Sequence, residues 1–138
     1  MKAAEYTYHY ELYRALIARA AHEDEEAERR FGELKRLYPE NWLVWNSLAD
    51  AHAMKCEYKE AVACLEKAML LRPEPPFVDC EETAADLYEL MGDYENAVKM
   101  QEKAIELMKT KWDITEGETL DAHYREIERL KARAEKNK

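Results

Sequence analysis

The feature that most restricts this chain is a period. Ala27 and Ala61 lie 34 positions apart, as do Pro39 and Pro73, while Ala61 and Ala97 lie 36 apart. The two additional residues fall in Pro73-Glu74-Pro75-Pro76, a linker in which an insertion costs little closure entropy. A period of this length marks stacked supersecondary units, each too small to bury its face alone. Within the units, Glu60–Leu71 and Glu95–Met108 carry apolar residues at the i, i+3, i+4, i+7 spacing of amphipathic helices. The pattern predicts helices over 3–21, 24–37, 42–54, 58–71, 79–91, 94–109 and 116–135. Pro39 and Pro73 punctuate them, since proline cannot continue a helix.

The middle unit reads Trp45-x2-Leu48-Ala49-x2-His52, then Ala61-x3-Leu65, Ala68 and Pro73. It resembles the tetratricopeptide repeat, whose pattern is W-x2-L-G-x2-Y, then A-x3-F, A and P. Ala49 stands for the small residue, and His52 stands where tyrosine is usual. The third unit has Ala84-Ala85-x2-Tyr88, the family-typical turn Gly92-Asp93-Tyr94, then Ala97-x3-Gln101 and Ala104. The first has Ala15-x2-Ala18, Ala27-x3-Phe31, Leu34 and Pro39. The resemblance implies an all-α fold: a solenoid of helical hairpins forming a right-handed superhelix of about seven helices. Repeats are placed at about 8–41, 42–75 and 78–111, with a capping helix at about 116–135, in a single domain over 1–138. Ala49, Ala61, Ala68, Ala85, Ala97 and Ala104 are expected where helices approach closely. Trp45, Leu48, Tyr58, Leu65 and Leu71 are expected to fill the gaps.

The two ends differ. Thr115-Glu116-Gly117-Glu118 has the spacing of a capping box, and Leu120, Tyr124, Ile127 and Leu130 form one apolar stripe on an otherwise charged helix. That is the form of a cap that keeps a repeat array soluble. The first helix instead carries Tyr6, Tyr8, Tyr10, Leu12, Tyr13, Leu16 and Ile17 nearly all round. Its tyrosines either lie flat over neighbouring backbone or form an interface through Tyr6, Tyr8, Tyr10 and Tyr13. The partner would be a second copy (a homodimer), an upstream domain or another protein.

Composition narrows the function. Acidic residues outnumber basic ones 30 to 21, giving a net charge of −9 and a pI near 5.0. That balance argues against direct nucleic-acid binding and against an anionic membrane surface. No signal-peptide core and no long apolar run is visible, and the three cysteines show no CxxC spacing. Free thiols and a cytoplasmic location are the expectation. His22-Glu23-Asp24-Glu25-Glu26 lacks the second histidine of a zinc-protease motif. It suits the acidic start of a helix instead. His52 and Cys56 would make only half a metal site, and a core role is expected for His52. Asp113, Glu116, Glu118 and Asp121 lack calcium-loop spacing. No nucleophile elbow, phosphate loop or dinucleotide fingerprint occurs, so no enzyme activity, cofactor or metal is expected.

In the resembled family the first helix of each hairpin lines a concave groove that receives peptides. On this chain the resemblance assigns His9, Leu12, Leu16 and Arg19 from the first repeat, and Leu43, Asn46, Asp50, Ala53 and Met54 from the second. The third contributes Asp79, Glu82, Asp86, Glu89 and Leu90. The groove then runs from apolar and weakly basic to acidic. Its acids are either a solvated face or a site for a neutral or basic peptide or helix. Family members that clamp acidic chaperone tails use cations where this chain has Asp79, Glu82 and Asp86, so such a clamp is not expected. The expected function is a non-enzymatic protein-interaction module. Two alternatives stay open. One is the C-terminal sensor or oligomerisation segment of a bacterial transcriptional regulator, whose ends the stretch from Trp112 to Leu130 resembles. The other is a structural repeat protein, natural or designed, without a ligand.

Overall fold

Every expected helix forms, and turn chemistry decides where each one stops. The structure, a computed structural model, describes the backbone of residues 3–138 and the side chains of residues 10–138. Its helices are α1 (Ala3–Ala20), α2 (Asp24–Leu37), α3 (Trp42–Met54), α4 (Tyr58–Leu71), α5 (Asp79–Leu90), α6 (Tyr94–Lys111) and α7 (Glu118–Lys136). The chain divides into two compact units, Met1–Arg72 and Pro73–Lys138.

In the first unit α1 packs on α2, α2 on α3, and α3 on α4. Ala15, Ala18, Ala27, Phe31, Leu34 and Val44 form a buried cluster flanked by Leu12, Leu16, Tyr38, Leu48 and Ala51. Ala61, Leu65 and Ala68 bury the inner face of α4. Alanines at these positions let the backbones close together, and the branched chains fill what remains. Trp45 is only half-buried. Its Nε1 donates to the Pro39 carbonyl at 2.7 Å, and Lys35 and Lys67 cover its ring at 5.2 and 6.0 Å.

In the second unit α5 packs on α6, and α6 on α7. Ile105, Met108, Leu120 and Ile127 form a cluster joined by Val78, Val98 and Ile114. Ala84, Ala85, Ala97 and Ala104 are buried at the close approaches. The linker is tied to the end of α6: Trp112 Nε1 donates to the Pro76 carbonyl at 2.6 Å, and the Trp112 and Phe77 rings stack 5.2 Å apart.

The three hairpin turns share one backbone. His22, Cys56 and Gly92 have φ of 59°, 61° and 78°. Each N–H donates to a carbonyl three residues back, at Arg19, Ala53 and Glu89. The next residue, Glu23, Glu57 or Asp93, donates to a carbonyl five back, at Ala18, His52 or Tyr88. This is the left-handed helix stop that glycine suits best. Only the third turn has glycine. Only the third also caps the following helix with a side chain, as Asp93 Oδ1 accepts from the Asn96 N–H at 3.2 Å.

The expected capping box does not form. The last helix starts at Glu118, its cap is Gly117 at φ 115°, and no side chain closes it. The Glu118 carboxylate turns instead to Arg125. With Gly117 as the cap, Glu118 stands at the first helical position and not at the third, which a capping box requires. Leu120, Ile127 and Leu130 are buried as the stripe requires, but Tyr124 is exposed, its hydroxyl accepting from Lys109 Nζ at 2.7 Å.

Candidate functional site

Each unit presents its own surface. In the first, a cavity of about 400 Å³ opens beside α1, α2 and α3. Its floor is apolar, made by Ala27 and Phe31 of α2 with Leu48 and Ala51 of α3. Gly32 also lines it, with open space where a Cβ would stand. Arg19, Met54 and the polar chains of His52 and Lys55 edge it. Two of these are groove candidates from the sequence. Arg19 also reaches a third, donating to Asp50 Oδ2 at 3.3 Å, so the one cation of that set is charge-paired within the groove. His52 is half-exposed rather than a core histidine, with Nδ1 3.6 Å from a Glu57 carboxylate oxygen. Its polar edge faces the rim, where solvation is available.

The other candidates of this unit disperse. Leu12 and Leu16 are half-buried and pack against the core cluster. Asn46 is half-buried on α3, and Leu43 is exposed. The side chains of Tyr6, Tyr8 and His9 lie outside the described residues. Tyr10 and Tyr13 are exposed on α1 together with Ile17, and Arg14 sits 5.5 Å over the Tyr10 ring.

In the second unit α5 supplies the acids. It carries Asp79, Glu81, Glu82, Asp86 and Glu89 and no lysine or arginine. Their environments separate them. Asp79 is exposed in the first turn, where the helix dipole favours it. Glu89 is only 12% exposed and locked to α7: Arg129 donates to both its oxygens at 2.7 and 2.6 Å, and Arg133 to one at 2.6 Å. The Arg129 bonds, then those of Arg133, hold the Glu89 carboxyl below the usual glutamate range. Glu82 lies 3.4 Å from His123 Nε2 of α7. Asp86 is exposed. Desolvation, then the neighbouring carboxylates of Glu126 and Glu89, push its carboxyl above the ordinary aspartate range, with Arg129 pulling the other way.

Three buried polar residues of the second unit escape the sequence reading of the site. Glu81 is fully buried, with Lys103 Nζ 4.0 Å away. Gln101 and His123 are 5% and 6% exposed. The signal for Gln101 is present in the repeat: it stands in the third A-x3-F, where the first two copies carry Phe31 and Leu65, both fully buried. Among the described residues no three His, Cys, Asp or Glu side chains gather as metal ligands would. No helix among them is long and apolar enough to cross a membrane.

Models of the tetratricopeptide repeat match residues 42–75 and 83–109. No curated protein sequence matches the chain. Among solved structures, the type III secretion translocator chaperone SycD of Yersinia enterocolitica superposes with a TM-score of 0.77 at 16% identity, over 97% of this chain and 90% of that one. The Sgt2 TPR domain of Aspergillus fumigatus gives 0.73 at 21% identity, over 95% and 81%. The TPR2B domain of yeast Sti1, in its complex with pHsp70, gives 0.71 at 18%, over 95% and 98%. These likenesses show the fold: an all-α repeat of helical hairpins.

Proposed function

Since the chain belongs to the tetratricopeptide-repeat proteins, which in general serve as interaction modules rather than as enzymes, we propose that it captures a neutral or basic segment of a partner protein. The repeats over 8–41, 42–75 and 78–111 act as one module in this reading. The observation that carries it is α5, a helix with five acids and no base whose Asp79, Glu82 and Asp86 face solvent. Such a surface draws a basic segment and repels an acidic one. The cavity of the first unit offers a place for an apolar side chain. The Sti1 domain was solved with pHsp70. Here the acids of α5 disfavour an acidic tail, so the shared fold does not carry that ligand over.

The test is fluorescence anisotropy with a labelled lysine-rich peptide and a glutamate-rich one of equal length. The reading expects the first alone to bind, with affinity falling as salt rises. Glu82→Lys with Asp86→Lys should abolish that binding and leave the helical circular dichroism intact. Equal binding of both peptides would overturn it.

One observation favours a second reading. Tyr10, Tyr13 and Ile17 recur along one face of α1 and are 50%, 67% and 54% exposed. An aromatic stripe of that kind suits self-association. Light scattering decides between a mass of 16.3 kDa and twice that value.

A further inference from the structure

A crevice of about 250 Å³ lies within the second unit, lined by Glu82, Asp86, Gln101, Ala122, His123 and Glu126. Its polar chemistry is one-sided. Glu82, Asp86 and Glu126 are carboxylates. Gln101 Oε1 is buried and accepts no hydrogen bond from any described residue. His123 Nδ1 donates to the Thr119 carbonyl at 2.8 Å, and its Nε2 lies 3.4 Å from a Glu82 carboxylate oxygen. Arg129, whose charge reaches Asp86, does not line the crevice and is paired with Glu89 and Glu126.

An acceptor buried without a donor is destabilising. Here the cost is avoidable in principle, because the same repeat position holds Phe31 and Leu65 in the other copies. We infer that this crevice is a subsite for a primary ammonium group, the side chain of a lysine in the captured segment. An ammonium has three donors and no acceptor, which matches Glu82, Asp86 and Gln101 taken together. Its charge also offsets the mutual repulsion of the Asp86 and Glu126 carboxylates. This deepens the basic-segment reading and rests on it for the identity of the ligand's carrier.

The test uses the full chain, labelled with nitrogen-15, and two small probes: N-acetyl-lysine methylamide and its uncharged norleucine counterpart. The Gln101 side-chain amide and His123 ring signals should shift with the lysine probe alone. Gln101→Leu and Asp86→Asn should each weaken it by about tenfold, as loss of a hydrogen bond to a charge implies. Asp86 is exposed, so its variant keeps the fold even if the Gln101 variant does not. Equal shifts with norleucine, or unchanged affinity in Asp86→Asn, would overturn the subsite. A twelve-residue lysine peptide separates the two proposals. If it binds without moving Gln101, segment capture stands and the subsite falls. If the small probe moves Gln101 and the peptide binds no better, the subsite stands and segment capture falls.

Discussion

Phe31 and Gln101 occupy the same position in two copies of one repeat, and they show how differently the two units use it. In the first unit that position is a fully buried aromatic ring, in a core of alanine, leucine and valine. In the second it is an amide with an unpaired oxygen, beside a buried histidine and a row of carboxylates. The turns run the opposite way. The first unit places His22 and Cys56 in left-handed backbone that suits glycine, while the hairpin turn of the second uses Gly92 and caps the next helix with Asp93, although Asp113 before α7 is left-handed too. The first unit thus has the more apolar core and the poorer turns. The second has the better turn and the more polar interior.

The largest break in that comparison is Phe31→Ala. Deleting a fully buried ring should lower unfolding free energy by about 3–5 kcal/mol, measured by urea denaturation. A loss below about 1 kcal/mol would mean that the adjoining cavity lets the core of the first unit collapse around the gap. Next is Ala61→Leu. Ala61 is fully buried, so added bulk should cost about 1–3 kcal/mol in thermal melts. A neutral result would remove Ala61 from the close approach that the repeat assigns to it.

The polar side of the comparison is tested by Glu89→Gln. The arginines are about half-exposed, so the network contributes less than a buried pair would, about 1 kcal/mol. Because folding depresses the Glu89 pKa, its contribution is complete above the ordinary value of 4.5 and is lost as pH falls through the lower folded value. The difference between wild type and Glu89→Gln should therefore shrink below pH 4.5 and persist at neutral pH. A difference independent of pH would point to packing instead of charge. The smallest effect belongs to the turns: Cys56→Gly should stabilise by about 0.5–1 kcal/mol through relief of the left-handed backbone. Gly92→Ala should do the reverse.

The fold was legible because its code is periodic. Alanines recurring every 34 to 36 positions mark the close approaches, and Pro39 and Pro73 mark unit ends, so the helices fall within two residues of expectation. The start of α7 is an instructive exception. Thr115 and Glu118 have capping-box spacing, but spacing does not reveal that Gly117 is the cap and Glu118 the first helical position. The site was less legible for the same reason. Arg19 and Asp50 lie on different helices, as do Glu89 and Arg133, and a list of groove residues does not say which charges cancel. Glu82 and Asp86 were visible as acids. That they face His123 and Gln101 depends on α6 and α7 meeting beside α5, which no local pattern encodes. The departure of Gln101 from the aromatic of its repeat was the one available signal.

The central claim is that the second unit gives up core packing for recognition, and Gln101→Leu tests it most directly. Melting temperature and affinity for N-acetyl-lysine methylamide should be measured on the same sample. The account predicts a higher melting temperature together with weaker binding. A lower melting temperature, or binding as tight as that of wild type, would contradict it.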